Sequence, residues 1–252
     1  MSKRRLIAEV AIVLGLTLGM SSLYSLVGIA VRLARETRLS EQTATLNRPA
    51  SEFPWADLVY QILGVTSSLI PVALVVFLLW QKTTPRLGAL GLDTTRPIWD
   101  PMAGLGLAAL IGIPGLGLYL VGRSLDLTVT VVPTVLNDYW WTIPMLLVLA
   151  LRAGILEEVI AVGYLFRRLS DLQVPLWGIV FIQALLRATY HLYQGFGPFV
   201  GNFVMGLVFG YFYLRTKRLA PLIVAHTAID AVAFVGYPVA VSFYPDIFGN
   251  VG

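Results

Sequence analysis

Glu157 and Glu158 stand side by side inside an apolar run, residues 151–168 (LRAGILEEVIAVGYLFRR). A charged side chain at the centre of a bilayer costs roughly 2.5–3.5 kcal/mol on insertion scales, so an adjacent pair requires buried partners or a use. Helical neighbours point about 100° apart, so the two carboxylates are expected to face different surroundings, one chemical and the other structural. Other ionisable residues set in apolar runs are Arg152, Arg187, His191, His226 and Asp230, and His191 and His226 are the only histidines of the chain. Arg187 and His191 are four apart, as are His226 and Asp230, so each pair shares one face of a helix. Glutamate in a dry site can take a proton from water, and an imidazole opposite can donate to an oxyanion, which together make a peptide hydrolase without a serine or threonine nucleophile. Asp230 only accepts hydrogen bonds when ionised; it must be protonated to hold an oxyanion, or else it orients His226. Zinc held by glutamate and two histidines is the competing chemistry, since three protein ligands and a water make a catalytic zinc site. The chain lacks the His-Glu-x-x-His spacing of such sites.

The elements that must position these groups are transmembrane helices. Of the 252 residues, 57% are apolar and 13% charged, with a mean hydropathy of +0.78, a balance that cannot coat a soluble domain. Apolar runs near the ~20 residues of a spanning helix, with no alternating pattern, predict an all-α polytopic transmembrane bundle of about seven spans (six to eight), in one domain covering residues 1–252. Their approximate bounds are 6–31, 58–80, 102–121, 140–168, 174–193, 198–214 and 219–235, with 239–248 too short to cross. Residues 32–54 and 123–138 are expected as loops, with a tight turn at 90–93. Gly206 and Gly210 follow the small-x-x-x-small pattern of closely packed membrane helices. Absence of cysteine removes disulfides, thiolate metal sites and a cysteine nucleophile. The net charge of +4 is spread between the apolar runs, which argues against nucleic acid as a partner. Eleven Lys and Arg fall on the side of the N-terminus and five on the other, so the N-terminus is expected in the cytoplasm of a multi-pass inner-membrane protein. With straight helices rising 1.5 Å per residue, Glu157 lies roughly 16 Å from the inner end of its helix, His226 about 10 Å and His191 about 24 Å, which does not align them.

Glu157-Glu158, then a histidine 34 residues after Glu157, then His226 and Asp230 at His-x-x-x-Asp on the following helices, resemble the CPBP intramembrane proteases, a family that includes type II CAAX prenyl endopeptidases and bacteriocin-processing and self-immunity proteins. The likeness covers about residues 150–236. It implies that Glu157 and His191 activate a water and that His226 with Asp230 holds the tetrahedral intermediate. It further implies that no catalytic metal is used, and that the partner is a peptide or protein, in or beside the bilayer. Two positions depart from the family pattern: Val162 stands where an arginine is usual, and Arg187 where a phenylalanine is usual. Read together, they predict that the ion pair of Glu158 has moved between helices, to a bidentate pair with Arg187. The alternative is a non-catalytic scaffold or self-immunity protein of the same family.

Overall fold

The computed structural model describes residues 2–79, 87–134 and 139–243. Lys82, Arg86, Asp138 and residues 244–248 of the expected short segment lie outside them. The architecture is all-α, as the composition requires. The helices are α1 (Lys3–Gly15), α2 (Leu18–Leu33), α3 (Pro54–Leu78), α4 (Trp99–Ser124), α5 (Thr142–Glu157), α6 (Leu165–Asp171), α7 (Leu176–His191), α8 (Phe196–Thr216), α9 (Ala220–Ala231) and α10 (Tyr237–Phe243). Two π-helical stretches interrupt them, Glu158–Tyr164 between α5 and α6 and Val232–Gly236 after α9.

Among the described residues, four helices are long and apolar enough to cross a membrane: Pro54–Leu78, Trp99–Ser124, Phe196–Thr216 and Ala220–Val239. Together α1 and α2, bent by 54°, would make a fifth, so the expected seven spans are not reached by this measure. The expected helix over 6–31 is broken because Thr17 leaves the helical region (φ −143°, ψ −122°) and its hydroxyl donates to the Val13 carbonyl. A Cβ at Gly19 would stand 2.8 Å from the Leu14 carbonyl oxygen, so the bend needs a glycine there. Expected spans four and five fall short for another reason: α5 and α7 have 16 residues each, and α5 continues to Asp171 only through the π turns.

The two expected loops carry strands. Thr43–Asn47 (β1) and Thr130–Thr134 (β2) pair in parallel, with Thr43 opposite Thr130 and Asn47 opposite Thr134. Arg32 at the end of α2 donates to the Thr43 carbonyl at 3.1 Å, and the Ser40 carbonyl accepts from the Thr130 hydroxyl at 2.9 Å.

Small residues bring the site helices together. On α8, a Cβ at Gly206 would lie 2.6 Å from Ala184 Cα, and one at Gly210 would lie 2.7 Å from Gln183 Nε2, so α8 presses on α7 as the glycine spacing predicts. Gly154 likewise lets α5 meet α9 at Thr227 and Ile223, and Gly104 lets α4 meet α9 at Val224. Below the site, Val159, Ile160, Val162, Leu165, Ile179, Val180, Phe209 and Leu222 form the apolar core.

The corner between α8 and α9 is not at the surface. Leu219 is fully buried; its amide donates to the Leu90 carbonyl, and the Ala220 amide donates to that of Gly91, whose φ of +74° is the tight turn expected at 90–93. The loop that holds Leu90 and Gly91 therefore covers the first turn of α9.

Candidate active site

The last residue of α5, the last turn of α7 and the middle of α9 converge. Glu157 closes α5 and Glu158 opens the π stretch; such turns are frequent at functional sites because the widened ladder re-aims side chains. Arg187, Tyr190 and His191 lie along α7, and His226 and Asp230 along α9.

Glu158 is fully buried. Its Oε1 accepts from Arg187 Nη2 at 2.6 Å and lies 2.7 Å from His226 Nδ1. Glu157 Oε2 accepts from the Tyr190 hydroxyl at 2.6 Å, with Arg187 Nη1 at 3.5 Å and the Nε2 atoms of His191 and His226 each at 3.8 Å. The arginine expected to pair with Glu158 does so, but not bidentately: its fork is shared between the two glutamates. The carboxylates also do not face separate surroundings as their 100° divergence predicted. Arg187 and His226 are both two-pronged, and each spans the gap, the imidazole turning Nδ1 to Glu158 and Nε2 towards Glu157.

Asp230 Oδ2 stands 3.6 Å from His226 Nε2, beyond a hydrogen bond, so Glu158 rather than Asp230 fixes the imidazole. Among the described residues, both ring nitrogens of His191 are buried without a hydrogen-bond partner, as are Glu158 Oε2 and Arg187 Nε. Side chains of Glu157, His191 and Asp230 are 15%, 20% and 21% exposed while Glu158 and Arg187 are wholly enclosed, so the cluster opens on the side of the first three. Arg152 stays outside the hydrogen-bonded cluster; among the described residues no carboxylate comes within ion-pair distance of it. Among the described residues, too, no group of three or more His, Asp or Glu side chains has the spacing to hold a metal ion, which gives the zinc arrangement no support from the donor geometry.

Tyr190 was not legible in the sequence. It carries no charge, and tyrosine is common near the ends of membrane helices. The available signal was its place three residues after Arg187, on the face that also presents His191.

Residues 139–232 match the family model of type II CAAX prenyl endopeptidase Rce1-like proteins, and this bears out the resemblance read over nearly the same stretch. No curated protein and no solved structure matches the chain.

Proposed function

We propose, from this likeness to the CAAX-protease-like family, that the chain is an intramembrane endopeptidase in which Glu157 takes a proton from a water as that water attacks a peptide carbonyl. The observation that carries the reading is Glu157 Oε2 with both imidazole Nε2 atoms 3.8 Å away, on the open side of the cluster. Two hydrogen bonds of about 2.8 Å from one water span such a gap. His191, with two unpaired buried nitrogens, is the second holder of that water.

Glu158 accepts from His226 Nδ1, which leaves Nε2 to donate towards the reacting carbonyl. His226 then stabilises the oxyanion. When the tetrahedral intermediate collapses, Glu157 returns its proton to the leaving amine, and a carboxylate and an amine are the products. Asp230, with 21% of its side chain exposed, stands 3.6 Å from His226 Nε2. The substrate is a peptide reached from within or beside the inner membrane, the N-terminus of the protease is cytoplasmic, and no metal takes part. The alternative, a scaffold that only holds a peptide in this cleft, predicts a different experimental outcome.

Comparing membrane proteomes of cells carrying wild-type protein and Glu157→Gln should reveal a precursor that accumulates only with the variant. On that precursor, Glu157→Gln should lower turnover by a factor on the order of 10²–10⁴ while leaving expression and helicity intact. Full turnover by Glu157→Gln refutes the mechanism, and loss of turnover on exhaustive chelation refutes its metal-free form.

A further inference from the structure

We infer that Tyr190 is a positioning residue for Glu157, and that its hydroxyl fixes the orientation in which that carboxylate faces the two histidines. This deepens the proposed reaction and rests on it. The hydroxyl donates at 2.6 Å to Oε2, the oxygen that also faces His191 and His226. Tyr190 is 5% exposed, and its ring leans on the His191 imidazole with centroids 4.8 Å apart. One side chain therefore contacts both groups that the reaction assigns to the water.

Physical reasons make the bond more than a satisfied buried hydroxyl. Glutamate has three rotatable bonds and a symmetric head, so without a fixed donor it would swing to the nearest cation, Arg187 Nη1 at 3.5 Å. Pairing with that guanidinium would draw the oxygen from the histidines. A phenol is a strong donor that carries no charge, so it can lock the rotamer and favour the carboxylate while the anion still accepts a proton. The other ionisable groups facing Glu157 are Arg187 and His191 on α7, His226 and Asp230 on α9, and Glu158 beside it. Among the described residues Tyr190 makes the shortest donor contact to that carboxylate, 2.6 Å against 3.5 Å for Arg187 Nη1.

The test is a pH titration of the purified full-length protein by infrared spectroscopy, with Glu157→Gln identifying the carbonyl band of protonated Glu157. In Tyr190→Phe that band should grow in at a pH about one unit closer to neutral, because a bond made to the carboxylate is lost. Incorporating 3-fluorotyrosine at position 190 keeps the shape, strengthens the donor and should move the midpoint the other way; it also serves if Tyr190→Phe folds poorly. Coincident midpoints in wild type and these variants overturn the proposal. On a pool of internally quenched peptides, Tyr190→Phe should lose about 10- to 100-fold in kcat with KM nearly unchanged, and the acid limb of its pH profile should move with the infrared midpoint. If Glu157→Gln cleaves the pool as well as wild type, the proposed reaction is wrong, and the infrared shift still decides whether Tyr190 holds Glu157.

Discussion

Among the described residues Arg168, Arg187 and Arg218 each stand between two carboxylates, and Arg187 and Arg218 differ in what they leave unpaired. Arg218, between α8 and α9, donates from Nε to Asp100 at 2.7 Å, from Nη2 to Asp100 and to Asp93 at 3.0 Å, and from Nη1 to the Thr95 hydroxyl at 3.1 Å. Every guanidinium nitrogen is used, no histidine is present, and the result is a clamp that ties the 87–98 loop and the start of α4 to the α8–α9 corner. Arg187 has the same kind of partners and an incomplete set of bonds. Its Nε, Glu158 Oε2 and both nitrogens of His191 have no hydrogen-bond partner among the described residues, and two imidazoles share the cluster. Buried polar groups are ordinarily paired, and the proposed reaction gives the incomplete cluster its further partner, the attacking water. The complete one is architecture.

The comparison is broken most readily at Arg187. Its replacement by leucine strands Glu158, which is enclosed on all sides, and removing one partner of a buried pair typically costs about 3–5 kcal/mol. Arg187→Leu should be recovered in low yield and melt far below wild type in detergent. Arg187→Lys keeps the charge but cannot span both glutamates, so it should fold and lie between the two. A leucine variant as stable as wild type would mean that Arg187 is no more than a space-filler.

A smaller effect is expected at the clamp. Arg218→Met should lower stability by about 2 kcal/mol, the scale of a charged hydrogen-bonded group, while cleavage per folded molecule stays as in wild type. A loss of turnover without a loss of melting temperature would place the clamp in the reaction and erase the contrast.

Smallest is the effect of acid on the same clamp. Hydrogen bonds from Thr95 and then Arg218 hold the Asp93 carboxyl down, from 3.8 to about 2. A depressed carboxylate contributes stability that is present above its unfolded value and lost as pH falls through its folded one. The melting temperature of wild type should therefore drop between about pH 4 and 2 by more than that of Arg218→Met, which keeps only the Thr95 bond. Parallel curves would show that Arg218 does not act on Asp93.

Much of the cluster was legible in the sequence because charge inside an apolar run is costly and so cannot be incidental. Glu157, Glu158, Arg187, His191, His226 and Asp230 were all visible on that ground, and the structure brings them together. Tyr190 was not, since an uncharged residue of a common type sends no such signal. The expected seven spans are not reached by helix length and apolarity among the described residues: Thr17 bends the first run, and α5 and α7 are each 16 residues long. Nothing in the string EVIAVGY distinguishes a π turn from an α turn, because the two differ by which carbonyl each amide finds, and that choice depends on neighbours.

The depth of the site shows the same division. Counting residues from helix ends set His226 about 14 Å from His191 along the bundle, on the assumption that all helices begin in one plane. In the structure Leu219 and Ala220 donate to Leu90 and Gly91, so α9 begins under a loop rather than at a free helix end, which the count from helix ends does not contain. By itself the sequence determined the helical class, the membrane solvent and the list of charged residues that had to meet, because each follows from transfer free energies that act residue by residue. Only the tertiary structure decided that one guanidinium serves both glutamates, that Glu158 rather than Asp230 holds His226, and that a tyrosine holds Glu157. Those are matters of ångström distances between side chains far apart in the chain, and they are set by how closely glycine faces let the helices approach.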